Sequence, residues 1–152
     1  MNTSAQSSWA ATTIHLWPEL YTLTSLDVRL LPDAAQLMTE RGGTFASLII
    51  ERDEVSLAVA EQIWRTSSLR RRARAEDGPF RVITLDIDID LNVCGYLAPA
   101  AVRLGEAGVA IVPCGAYLKD HLLVHERDLA TAVRVLEEFI AESKEKDDWV
   151  RR

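Results

Sequence analysis

Val82-Ile83-Thr84-Leu85-Asp86-Ile87-Asp88-Ile89, continued by Asp90-Leu91-Asn92-Val93-Cys94-Gly95-Tyr96-Leu97, is the stretch from which the fold is read. Ile83, Leu85, Ile87 and Ile89 occupy every second position, with Thr84, Asp86, Asp88 and Asp90 between them. That is the period of a strand with one face in a core and the other polar. Past Gly95 the spacing changes, because Leu97, Ala101 and Leu104 fall at i, i+4 and i+7, the period of an amphipathic helix. A strand-to-helix turn therefore lies at Asn92 to Gly95. The first amides of a helix lack intrahelical partners and sum with the helix dipole to a partial positive charge, so such a turn suits a carboxylate. Gly95, having no side chain, lets a ligand approach those amides. On a purely structural reading, Asn92 caps the helix and Gly95 packs.

Working outward, the sequence predicts a strand over Phe80 to Ile89, a helix over Gly95 to Ala107, strands over Val109 to Pro113 and Tyr117 to Val124, and a helix over Glu126 to Ala141. In that last helix Leu129, Val133, Leu136 and Ile140 share one face, and Glu126 and Asp128 sit at its positive end. Upstream, a strand is expected between Leu16 and Leu26. A short helix follows from Pro32 to Met38, ended by Gly42-Gly43. Phe45 to Ile50 and Val55 to Val59, separated by Glu51-Arg52-Asp53-Glu54, read as an antiparallel hairpin. Glu61 to Arg65 makes a helical turn, and Leu69 to Arg74 reads as an edge strand guarded by arginines. Glu76-Asp77-Gly78-Pro79 is the strongest internal break. The expected organisation is a flexible lead-in (1–15), a first half (16–78), a second half (79–141) and a charged, fraying tail (142–152). Both halves repeat strand-helix-strand-strand, which predicts an α+β protein of two ferredoxin-like βαββαβ halves, antiparallel sheets with helices packed on one face.

With 152 residues the chain can bury one substantial core, and 48% hydrophobic with 26% charged residues is the composition of a water-soluble globular protein. The net charge of −6 opposes general nucleic-acid binding. Arg70, Arg71, Arg72 and Arg74 form a local basic run that suits an anionic ligand or acidic partner, or simply a solvated surface. No apolar run reaches the ~18 residues a membrane helix needs, and Met1 to Thr13 lacks the pattern of a signal peptide. Two cysteines, Cys94 and Cys114, without ligand spacing suggest neither a disulfide framework nor structural zinc, so a reducing cytoplasm is expected.

Several motifs taken together resemble a known family. Asp90 to Leu97, Leu104-Gly105-Glu106-Ala107-Gly108-Val109 and Tyr117 to Val124, with Phe45-Ala46-Ser47-Leu48 and Asp53-Glu54-Val55-Ser56-Leu57 in the first half, make the stretch from Leu16 to Ile140 similar to small tandem ACT-domain proteins. That group is related to the ACT modules of aspartate kinases and to the CASTOR-type arginine sensors. The resemblance implies a regulatory or sensor module that binds a small molecule, an amino acid or derivative, near the first strand-to-helix loop and associates as a homodimer. No cofactor or metal is expected, and output would pass through a protein partner or neighbouring enzyme. Carried onto this chain, the ligand's carboxylate would lie against Asn92, Val93, Cys94 and Gly95, its amino group against Asp120, with Gly115, Tyr117 and His121 around the pocket. Where the family often has a small polar residue this chain has Gly115, which removes a hydroxyl.

A different class of function is open as well. Cys94 near a helix N-terminus and His121 on a neighbouring strand would make a nucleophile and base if they meet, and with Tyr117 and Asp120 would convert the pocket into the active site of a small enzyme on an amino-acid-derived intermediate. A buried cysteine and a packed histidine are the structural alternatives. Asp86, Asp88 and Asp90 share one strand face and either solvate it or hold a divalent ion, but an EF-hand is excluded by Leu91 and Leu97 at its sixth and twelfth positions. Tyr96 reads as a pocket flank or core residue, Trp17 and Trp64 as core, and His15 and His125 as structural. No phosphate loop, dinucleotide fingerprint or serine elbow occurs.

Overall fold

Alternating apolar residues in the strands and 3.6-residue stripes in the helices set the architecture seen in the computed structural model, which describes residues 3–87 and 90–150. The elements are α1 (Thr3–Ala11), β1 (Thr13–Leu16), β2 (Tyr21–Asp27), α2 (Leu31–Thr39), β3 (Ser47–Ile50), β4 (Glu54–Ala60), α3 (Glu61–Thr66), β5 (Ala75–Asp86), α4 (Leu97–Glu106), β6 (Val112–Gly115), β7 (Asp120–His125) and α5 (Leu129–Val150). The chain forms two units, residues 17–82 and residues 1–16 with 83–152. Strand β5 gives its first part to one unit and its last four residues to the other.

In the unit 17–82 the strand order is β3-β4-β2-β5 and every pair is antiparallel. The expected hairpin is present, with Ile50 opposite Val55 and the Glu51 amide donating to the Glu54 carbonyl at 2.8 Å. Leu26, Val55, Leu57 and Val59 pack on Ala34 and Leu37 of α2 and Trp64 of α3. Two expectations fail here. Leu69 to Arg74 is not an edge strand, since residues Ser68–Arg72 form a 3-10 helix whose ends are fixed by the Ser67 side chain and by ion pairs. Arg70 pairs with Glu76, Arg72 with Asp33 and Arg74 with Asp27. Glu76 to Pro79 is not a break between halves, because β5 runs through it. Tyr21 lies opposite Phe80 but Leu23 opposite Asp77, so Gly78 and Pro79 together face Thr22 in a bulge, where a strand tolerates proline. A Cβ at position 78 would stand 2.9 Å from the Tyr21 carbonyl oxygen, which is why glycine is there.

In the other unit β5 pairs with β1 and with β7, and β7 with β6. Ile83 and Leu85 of β5 and Leu122 and Val124 of β7 pack beneath Ala100 and Leu104 of α4 and Leu136, Phe139 and Ile140 of α5, so the helices cover one face. From Thr3 onward the segment expected as a flexible lead-in is instead α1 and β1, and Trp9 belongs to this core. Trp9 of α1 is fully buried, stacks on Tyr96 with ring centroids 4.7 Å apart and leans on Phe139 at the same distance. The charged tail expected from residue 142 is helical: α5 continues to Val150, with Ser143 buried, Asp147 accepting from the Ser7 hydroxyl at 3.0 Å, and Glu142 forked by Arg103 of α4. Strands β6 and β7 begin three residues later than expected, which leaves Tyr117 in the turn between them. The reading of Asp88 and Ile89 lies outside the described residues. Among the described residues no helix is long and apolar enough to cross a membrane.

Candidate functional site

The turn between β5 and α4 is built by Asp90, whose Oδ1 accepts from both the backbone amide and the Nδ2 of Asn92 at 2.8 Å, while the Val93 amide donates to the Asp90 carbonyl at 2.9 Å. Asn92 thus does not cap the helix. The cap position falls at Tyr96, which makes no side-chain cap hydrogen bond, so the start of α4 opens without a capping side chain. Gly95 has φ +79, and a Cβ there would meet nothing within 4 Å, so glycine serves the left-handed turn and leaves open space above it.

What holds this turn came from elsewhere in the sequence. The Trp9 indole donates to the Tyr96 carbonyl at 2.6 Å, and the Tyr96 hydroxyl shares a 2.8 Å hydrogen bond with Thr12. Burial pushes the Tyr96 phenol up to about 12, the Thr12 hydrogen bond opposing and the Asp120 carboxylate adding to the rise. A lone Trp in the Ser/Ala-rich N-terminal segment was the available signal for this clamp.

Asp120 lies opposite Gly115 across the β6/β7 pair, and a Cβ on Gly115 would stand 3.8 Å from Asp120 Oδ1. Side chains alternate along a strand, so Asp120 shares the helix-covered face with Leu122 and Val124. His121 takes the opposite face, where its Nδ1 is 2.8 Å from the Thr84 hydroxyl. Burial holds the His121 imidazole below its usual value, with Asp120 opposing and Lys119 reinforcing the shift. Cys94 is exposed, its thiol donating to the Asn92 carbonyl at 3.7 Å, and Tyr117 is 78% exposed in the turn. The structure thus sets Gly115 against Asp120 and turns His121 to the other face of β7. Of the four residues of the enzymatic reading, Asp120 and His121 take opposite faces of β7, and Cys94 and Tyr117 lie in turns. Asp86 is paired with Lys119 at 2.8 Å and Asp90 is engaged by Asn92; among the described residues no group of three His, Cys, Asp or Glu side chains is placed to hold a metal ion.

No protein-family model and no curated protein matches the chain. Solved structures do match. A Vibrio cholerae protein of unknown function, described as a possible transport protein, superposes with a TM-score of 0.71 at 20% identity, over 90% of this chain and 96% of its own. An Agrobacterium tumefaciens protein gives 0.67 at 21% identity over 85% and 89%. The ligand-free regulatory subunit of aspartate kinase from Thermus thermophilus gives 0.62 at 8% identity over 84% and 97%. At these identities the likeness is one of fold: an ACT-like α+β fold, shared with aspartate kinase regulatory subunits.

Proposed function

We propose that the chain is an amino-acid-binding regulatory or sensor module, composed of two ferredoxin-like ACT-type halves in tandem and working in the cytoplasm as a homodimer. The relation extends, on this reading, to the CASTOR-type sensors. The ligand's carboxylate rests on the amides of the turn from Asn92 to Gly95 and the opening of α4, and its ammonium group faces Asp120. The observation that carries the reading is the α4 N-terminus, without a side-chain cap hydrogen bond and preceded by a glycine with open space around it. The fold shared with aspartate kinase regulatory subunits supports it. Output passes through a protein partner or neighbouring enzyme, and a ligand that binds only the associated form shifts assembly toward it.

Thermal unfolding across the standard amino acids tests this. A ligand bound only by the native state adds ~2.7 kcal/mol at a hundredfold excess over its dissociation constant. One amino acid should raise the midpoint selectively, and Asp120→Asn should remove the rise. A flat response to all of them contradicts the amino-acid reading.

A further inference from the structure

We infer that the unit 17–82 carries a second small-molecule site, an open cleft between α2 and the end of α3 that takes a small organic cation with an apolar body. It belongs to the unit without the β5/α4 turn and does not rest on the reading proposed for that turn. The cleft encloses about 440 Å³, within the roughly 300–1,000 Å³ of small-molecule sites.

One wall is a single face of α2. Asp33, Gln36, Leu37 and Glu40 line it at i, i+3, i+4 and i+7, with Glu40 standing at the C-cap. Across from them are Ile63 of α3 and Leu69 of the 3-10 helix Ser68–Arg72. Leu37 and Leu69 are 6% and 3% exposed, and with Ile63 they belong to the apolar packing of this unit. The cleft therefore has an apolar floor, and its exposed lining residues are polar.

Its charges are of one sign. The carboxylates of Asp33 and Glu40 line the cleft, and among the described residues no Lys, Arg or His does. Asp33 is matched by Arg72 at 3.0 Å. Glu40 has no ion pair or side-chain hydrogen bond among the described residues, and the Arg41 guanidinium beside it is given to the Thr44 carbonyl at 3.1 Å. The last turn of α2 also holds no basic residue. The helix dipole puts partial negative charge at that end, so a carboxylate there is a like-charge juxtaposition that a bound cation relieves. Gln36, one turn earlier on the same face, gives its Nε2 to the Thr39 hydroxyl and keeps its carbonyl oxygen as an acceptor. An ammonium group suits these acceptors while an alkyl or aryl body covers Leu37, Ile63 and Leu69. The same groups repel an anion.

Ile63 reports on the floor of the cleft. Its δ1 methyl signal in a 1H–13C spectrum of the full chain, identified as the one lost in Ile63→Val, should move saturably on titration with phenethylamine. Hydrocinnamate, the same body with a carboxylate head, should leave the signal in place, and ethanolamine, which lacks the body, should bind more weakly. Glu40→Gln should weaken the phenethylamine response about three- to fivefold, the range of an exposed ion pair, and Glu40→Lys should abolish it. Both substitutions ease the like charge at the end of α2, so both variants should stay folded, which the remaining isoleucine methyl signals verify. The proposal is overturned if phenethylamine causes no saturable shift, if hydrocinnamate acts as well as phenethylamine, or if folded Glu40→Lys responds like the native chain. A shift that follows protein concentration instead of amine would make the cleft a contact between two copies, and would overturn it as well.

Discussion

His121 follows Asp120 directly, yet the two act in different settings because a strand sends neighbours to opposite faces. The sequence places both polar residues inside an expected strand, Tyr117 to Val124, but it carries no sign of which one faces the helices; that is settled by Leu122 and Val124 entering the helix-covered core. The consequence for His121 is a pH dependence. Its folded value lies below 6.5 because burial disfavours the imidazolium, so the unfolded chain binds the proton more readily. Its contribution to stability is complete above about pH 6.5 and is lost as pH falls from there through the folded value. Urea midpoints measured from about pH 7 down to about pH 5 should fall in the native sequence, and the fall should be shallower in His121→Gln. An unchanged slope would show that burial of this imidazole does not govern stability in that range. At the same scale, Gly95 was legible as a turn residue, whereas Asn92, a natural capping residue, is diverted by the carboxylate of Asp90 two positions earlier.

Among the elements, α1 is the one with the weakest local signal and a decisive place in the core. Its Ser- and Ala-rich sequence has no apolar stripe, and tertiary packing of one side chain overrides that weakness. Trp9→Ala should cost ~3–5 kcal/mol, the usual loss for a fully buried large aromatic. Trp9→Phe keeps the ring but strands the Tyr96 carbonyl, for ~1–3 kcal/mol. Urea unfolding measures both, and losses below ~0.5 kcal/mol would mean that α1 is dispensable. Elements governed by local pattern were legible: the β3/β4 hairpin from its four-residue polar spacer, α2 from its proline and tandem glycines, and α4 and α5 from their apolar stripes. Those governed by distant partners were not. The run Leu69 to Arg74 has strand-like length, but Arg72 and Arg74 are fixed by Asp33 and Asp27, far away in sequence, and Arg70 by Glu76 just beyond the run. The Gly-Pro pair at 78–79 reads as a break because the bulge that accommodates it is defined by Tyr21 and Leu23, more than fifty residues away.

For the molecule as a whole, the α+β class and the antiparallel pairing with helices were readable from the residue pattern, and the expected first half, 16–78, lies close to the unit 17–82; the membership of the N-terminal segment in the other unit was not readable. The unit containing the candidate site takes β1 and α1 from the N-terminus and the rest from residue 83 onward, an arrangement that no local composition shift announces. The turn after Asp90 depends on this: Trp9 and Thr12, far away in sequence, hold Tyr96 at the entrance to α4. The central claim is that an amino acid binds there. Its most direct test is a 1H–15N titration of the full chain with each standard amino acid, following the backbone amides. The account predicts that one amino acid shifts the amides of residues 92–98 and 115–120 saturably, and that Asp120→Asn abolishes the shifts. Saturable shifts confined to other residues, or none for any amino acid, would contradict it.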